Sequence, residues 1–283
     1  MVSIIPRPPL PTGNAEEGLA VLQENARQLI AGLEERSMRL GDAQRVTLTL
    51  AQSRCLIDPR AAEFPSWDAW VTAMQVGSAV FAAAATTDDQ VQCRIAHKDL
   101  TLQATGPQWY VNPGSWLSAF YLAVICRERD KITALCQVPL SLLREHGGQF
   151  EEYHYAWIDT IQTYWRGGPD LGPKLVAAVD GTEPEAVADP ETVSKLLYPP
   201  MEVFHRFIRK DPETFDQALA RALELHKQYW SEEDRAFQAS GLVALAPLAL
   251  ACSAHDAGLP VEVESEYLPA VLISRKWCGE FPT

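Results

Sequence analysis

Histidine and carboxylate side chains are the groups here with acid–base or metal-binding capacity, and their spacing decides what they can do. Six histidines, His97, His146, His154, His205, His226 and His255, stand singly along the 283 residues. There is no HExxH arrangement, no pair of histidines at helical ligand spacing and no G-x-S-x-G nucleophile turn. In His255-Asp256 a carboxylate follows an imidazole directly, and a carboxylate can orient such a ring as a base. That pair keeps open a helical metal-dependent hydrolase using His255, Asp256 and nearby carboxylates. The competing reading is that the two residues, at a helix end followed by Gly258, cap carbonyls and make the turn. His226 falls on the apolar face of a predicted helix, the place of a hydrogen-bonded core histidine. Gly147-Gly148 and Gly167-Gly168 have neither the spacing nor the following lysine of a phosphate loop. Six cysteines, Cys55, Cys93, Cys126, Cys136, Cys252 and Cys278, show no CxxC or zinc-ribbon spacing and read as free core thiols. No cofactor and no metal is expected.

The acidic groups offer a different chemistry. VEVESE, Val261 to Glu266, alternates strictly, so a strand there sends Val261 and Val263 inward and Glu262, Glu264 and Glu266 outward. Three like charges with no basic residue among them repel one another, and a cationic partner relieves that repulsion. Tyr267 beside them supplies the kind of aromatic anchor that interfaces favour. The plainer alternative is a solvated strand face. The loop acids Glu183, Glu185 and Asp189, and the run Glu232, Glu233 and Asp234, read as ordinary surface charge. With a formal charge of -13 the chain repels phosphates and anionic membranes, which argues against nucleic-acid and membrane partners and for a basic protein.

The elements that must position these groups are mostly helical. Residues 1–14 hold the proline-rich stretch Ile5 to Pro11, expected as an extended, weakly ordered arm. Residues 15–283 are expected as one helical domain, since no long flexible linker divides them. Leu19, Leu22, Ala26, Leu29 and Leu33 predict a helix from Ala15 to Leu40. Arg45 to Ile57 is ambiguous between periods and leans to helix. Ser66 is the expected N-cap of a helix running to Ala85. Val91, Cys93 and Ile95, a turn at His97 to Asp99, then Leu100 and Leu102 predict a β-hairpin. Pro113, Gly114 and Ser115 open a buried helix, Trp116 to Asp130; another spans Glu151 to Arg166 before Gly167-Gly168. Asp211-Pro212 is a cap followed by a first-turn proline, opening a helix with Phe215, Leu219, Leu223 and His226 on one face. Pro247 starts or bends the apolar helix ending near Gly258. The longest apolar runs, Trp116 to Cys126 and Leu242 to Cys252, fall short of a membrane span, and the N-terminus lacks the pattern of a signal peptide. The expected setting is the reducing cytoplasm.

LALACSAHDAGLPVEVESEYLP, Leu248 to Pro269, resembles a C-terminal signature of the Imm49 family of immunity proteins from bacterial polymorphic toxin systems. GPQWYVNPGSWLSAFYLAVICRERDK (Gly106 to Lys131), PLSLLR (Pro139 to Arg144), an aromatic helix around Tyr155 and Trp157, and DPETFDQALARALELHKQYW (Asp211 to Trp230) stand in the order that family has them. The resemblance spans roughly residues 90–273. It implies a protein that binds and neutralises a cognate toxin, and the acidic surface is expected to occlude the toxin's cleft. A third possibility comes from an internal echo, LAVICRERD (Leu122 to Asp130) against LALACSAHD (Leu248 to Asp256): stacked helical hairpins binding a peptide on a concave aromatic surface. The expected fold is mainly α, a layered, solenoid-like set of helical hairpins with a small β-hairpin and a short C-terminal strand.

Overall fold

The structure is a computed structural model that describes residues 3–145 and 148–280; His146 lies outside the described residues. Helices α1 (Ala15–Ala31), α2 (Leu40–Arg54) and α3 (Phe64–Ala85) precede an antiparallel hairpin of β1 (Gln90–Ile95) and β2 (Lys98–Gln103). Then come α4 (Pro113–Cys126), α5 (Arg129–Gln137), α6 (Leu140–Arg144), α7 (Glu152–Arg166) and α8 (Leu171–Asp180). A short α9 (Pro190–Thr192) leads through a wide turn into α10 (Tyr198–Arg209), followed by α11 (Pro212–Trp230), α12 (Leu245–Asp256) and α13 (Ala270–Ile273). The fold is mainly α with one small hairpin.

Composition decides the layering. α3, α4 and α12 are apolar on nearly every face, and a helix of that kind is stable only when covered all round. α4 accordingly lies between α3 and α12, and the amphipathic helices α2, α7, α10 and α11 close over them with their apolar stripes inward. Buried apolar residues from Ile5 to Leu272 form one contiguous cluster. Two indoles tie α4 to its neighbours without leaving a buried N–H unmet: Trp116 Nε1 donates to the Leu135 carbonyl at 3.0 Å, and Trp157 Nε1 to the Tyr121 hydroxyl at 3.0 Å. Among the described residues, 239–256 is the one stretch with the length and hydropathy of a membrane span. Its α-helix has only 12 residues, about 18 Å at 1.5 Å per residue against a hydrocarbon layer of about 30 Å, and it is largely buried against α4.

Several local expectations change. The first helix stops at Ala31, because the chain turns at Gly32 before restarting as α2, the segment whose period was ambiguous. Ser66 does not cap α3: the helix begins two residues earlier, and Ser66 instead gives its hydroxyl to Asp58, which also accepts from the Ala62 and Glu63 amides. The hairpin turn is two residues long, Ala96 and His97, both with positive φ; Lys98 and Asp99 already pair in β2. α3 holds that turn through Gln75 Oε1 on the Ala96 amide at 2.9 Å and Asp68 on His97 at 2.8 Å. The expected cap at Asp211-Pro212 forms, with the Asp211 side chain accepting from the Thr214 amide; the buried helix expected from Trp116 begins instead at Pro113, capped by Asn112, whose side chain accepts from the Ser115 amide. All six cysteines are free, five of them buried, and burial pushes the Cys55 and Cys252 thiols up to about 12. The arm is extended but not loose. Ile5 is buried, and the Arg7 guanidinium donates to the carbonyls of Leu242 at 3.1 Å and Cys55 at 3.0 Å.

The echoed helices lie side by side but end differently. α12 runs on to Asp256, whereas α4 stops at Cys126 and Arg127 takes the left-handed conformation at φ 61. From there all five guanidinium N–H groups of Arg127 find acceptors: the carbonyls of Ile125 (2.7 Å), Leu272 (2.5 Å) and Ile273 (2.8 Å), and both oxygens of Asp256 (3.1 and 3.4 Å). One side chain, 8% exposed, thus joins the ends of α4, α12 and α13.

Two predictions test this core. Arg127→Gly relieves the left-handed backbone yet leaves buried carbonyls unmet and takes from Asp256 its bidentate partner, so it is expected to lower the unfolding free energy in urea by roughly 3 kcal/mol. A gain in stability would show that backbone relief dominates. His226 is 6% exposed, bonds the Gly241 carbonyl through Nε2 at 3.2 Å, and burial pushes its pKa down from 6.5 to about 4. The unfolded chain therefore takes up a proton that the folded chain refuses, and stability falls as pH drops from 6.5 toward 4. His226→Gln is expected to remove roughly 2–3 kcal/mol of the stability lost between pH 7 and pH 4.5, read from urea midpoints at the two pH values. An unaltered pH slope would contradict that assignment.

Candidate functional site

The acidic segment is extended, but no C-terminal strand forms. Among the described residues, 261–266 pair with one backbone neighbour, the N-terminal arm, through one parallel bridge of Ile4 with Glu264. The Ile5 amide donates to the Glu264 carbonyl at 3.0 Å and the Glu264 amide to the Ser3 carbonyl at 2.9 Å. Side chains take the next rungs, the Ile5 carbonyl accepting from the Ser265 hydroxyl and the Arg7 amide donating to the Glu266 carboxylate, so the ladder stops at one bridge. Within this stretch Val263 is buried while Glu262 and Glu264 are exposed, as alternation requires. The alternation then fails. The chain turns at Glu266-Tyr267, Glu266 Oε2 accepts the Arg7 amide at 2.8 Å, and Tyr267 points into the core. Tyr267 is 2% exposed, meets His226 edge-on at 4.9 Å between ring centres, and burial pushes its phenol up to about 12. Tyr267 is therefore a packing residue and not a surface anchor.

α11 adds a group that periodicity along one segment could not reveal. The Glu262 amide is shared by both carboxylate oxygens of Asp216 at 3.2 Å each, across 46 residues of sequence. Burial raises the Asp216 carboxyl above its ordinary range, and the adjacent Glu262 charge pushes the same way. Asp216, Glu262 and Glu264 make an acidic ledge in which, among the described residues, no carboxylate is in a salt bridge. A groove of about 600 Å³ runs beside it, with Ile4, Pro59, Arg60 and Val261 among its walls.

His255 and Asp256 are brought together, His255 Nδ1 lying 3.3 Å from Asp256 Oδ1 at the end of α12. Asp256, however, spends both oxygens on Arg127, and Arg275 approaches it at 3.8 Å. Among the described residues no hydroxyl or thiol hydrogen-bonds the His255 ring, and no group of three or more His, Cys, Asp or Glu converges as metal ligands would. Gly258, at φ 77, closes the helix, so the pair sits where a helix end is capped.

A second concavity, of about 410 Å³, opens between α4, α7, α10 and α12. Its floor is aromatic: Trp157 and Phe204 meet edge-on at 5.3 Å between ring centres, and the half-exposed Tyr164 packs on Phe204 at 5.2 Å and Phe207 at 5.9 Å. Helical periodicity marks Trp157, Ile161 and Tyr164 as one face of α7, but it cannot say that this face is incompletely covered.

The family model described as immunity protein 49, Imm49, matches residues 58–272, most of the chain and everything from the turn before α3 to α13. No curated protein and no solved structure matches. The matched span holds both concavities' helical walls and the acidic segment, whereas the arm that pairs with Glu264 lies outside it. On that match, the chain belongs to the Imm49 family of immunity proteins.

Proposed function

We propose that this protein neutralises a cognate toxin by binding it stoichiometrically in the cytoplasm, and that the ledge of Asp216, Glu262 and Glu264 covers the toxin's basic cleft. Family membership supplies the toxin as partner. The observation that carries the choice of surface is the pair of exposed carboxylates, Glu262 and Glu264, in no salt bridge among the described residues, on a segment fixed at both ends. Val263 anchors the segment from below, and the Ser265 hydroxyl, donating to the Ile5 carbonyl at 2.7 Å, ties it to the arm. The negative field therefore meets a partner already in place, and little conformational entropy is lost on docking. A charge of -13 steers a basic protein toward the surface and speeds encounter, an effect that salt screens. If the toxin's cleft binds nucleic acid, the carboxylates stand where phosphates would.

Glu266 has a different role within this reading. Its carboxylate holds the Arg7 amide, so it sets the position of the arm against the ledge and is only half exposed. Glu262→Gln with Glu264→Gln keeps size and backbone contacts. The double variant is expected to melt with the wild type and to bind its cognate toxin domain on the order of ten- to a hundredfold more weakly at low salt, mostly through slower association. Its complex should also lose much of the wild type's salt dependence, measured by titration calorimetry at two ionic strengths. Undiminished affinity and salt dependence would place the interface elsewhere.

A further inference from the structure

The aromatic groove has a polarity of its own. At one end lie the C-terminal ends of α4 and α12, with Arg127, Arg129 and Arg275 around a single carboxylate, Asp256. Arg127 spends its fork on Asp256 and on carbonyls, and the 51%-exposed Arg275 approaches the same carboxylate at 3.8 Å, so with Arg129 three guanidinium groups line this end of the groove with one carboxylate, in a chain that is otherwise strongly acidic. Toward the other end, some six or seven residues back along the same two helices, the walls are Phe120 and Leu250, faced by Phe204 and Phe207 of α10. Six or seven helical residues amount to about 10 Å. The polar atoms of the floor are already matched, Trp157 Nε1 to the Tyr121 hydroxyl, so the apolar end presents no buried donor that a polar ligand would have to meet.

We infer that this groove is a binding site for a small amphipathic carboxylate, its acyl or aryl body lying on Phe120, Leu250 and Phe204 and its carboxylate between Arg129 and Arg275. The volume, about 410 Å³, falls in the range of small-molecule clefts, which pair apolar walls with a few convergent polar groups. Guanidinium groups match a carboxylate through paired N–H donors. An organic cation, which aromatic walls can also attract, meets the opposite field here, and the Arg129 guanidinium already sits 5.6 Å from the centre of the Trp165 ring. The site is separate from the acidic ledge and does not rest on toxin recognition.

Full-length protein titrated with sodium dodecanoate below its micelle concentration, read by calorimetry and by the change in total tryptophan fluorescence, tests the assignment. One saturable site is expected, with dodecyltrimethylammonium at least about tenfold weaker. Arg129→Gln with Arg275→Gln, both exposed positions, should weaken dodecanoate about tenfold while leaving the melting temperature in place. Ala257→Trp, an exposed position at the mouth, should block binding sterically. Absence of saturable binding, equal affinity for the cation, or unchanged affinity in either variant would overturn the inference.

Discussion

Arg127 is the constraint on which the arrangement turns. Two helices that are apolar all round, α4 and α12, can be stable only by burying each other, and burying them brings the unpaired carbonyls at their ends into the interior as well. Water cannot meet those groups there. A residue in the left-handed conformation at the end of α4 reverses the chain, and because it is arginine and not the usual glycine, it also carries five donors into the gap. Asp256 balances the charge that this brings in.

Both candidate surfaces inherit their geometry from that arrangement. The ends of α4 and α12 form the charged end of the aromatic groove, and the helices themselves form its walls. On the other side of α12, the chain that leaves Gly258 crosses α11 at Asp216, takes the arm as its neighbour at Glu264, and re-enters the core at Tyr267. The ledge is thus a short span between two fixed points. That explains how backbone outside any sheet, with one β-bridge among the described residues, can hold two exposed carboxylates in place.

Helix type and approximate extent were legible in the sequence wherever one side chain face carries the signal: the stripe of α11, the cap at Asp211, the alternation of the hairpin, and the burial of His226. What was not legible depended on distant partners. The helix expected to reach Asp130 ends at Cys126 because the Arg127 side chain has acceptors 129 to 146 residues away. Ser66 resembles a cap, but its hydroxyl goes to Asp58, which also holds the amides of Ala62 and Glu63 just ahead of the helix. The alternation of VEVESE describes its first four residues; nothing local says that the chain turns at Glu266, so Tyr267 looked like an exposed neighbour of the acids while it is a core residue beside His226. Asp216 carried no local signal as part of the ledge. Proline content suggested a weakly ordered arm, yet Ile5 and Arg7 fasten it through burial and long-range hydrogen bonds.

The most direct test of the central claim, that the acidic ledge is the toxin-facing surface, is hydrogen exchange of this chain alone and saturated with its cognate toxin domain. The account predicts new protection concentrated in 261–266, in the first turns of α11 around Asp216, and in the arm that pairs with Glu264. Protection confined to the β-hairpin or to the aromatic groove, with the ledge exchanging as in the free protein, would contradict it.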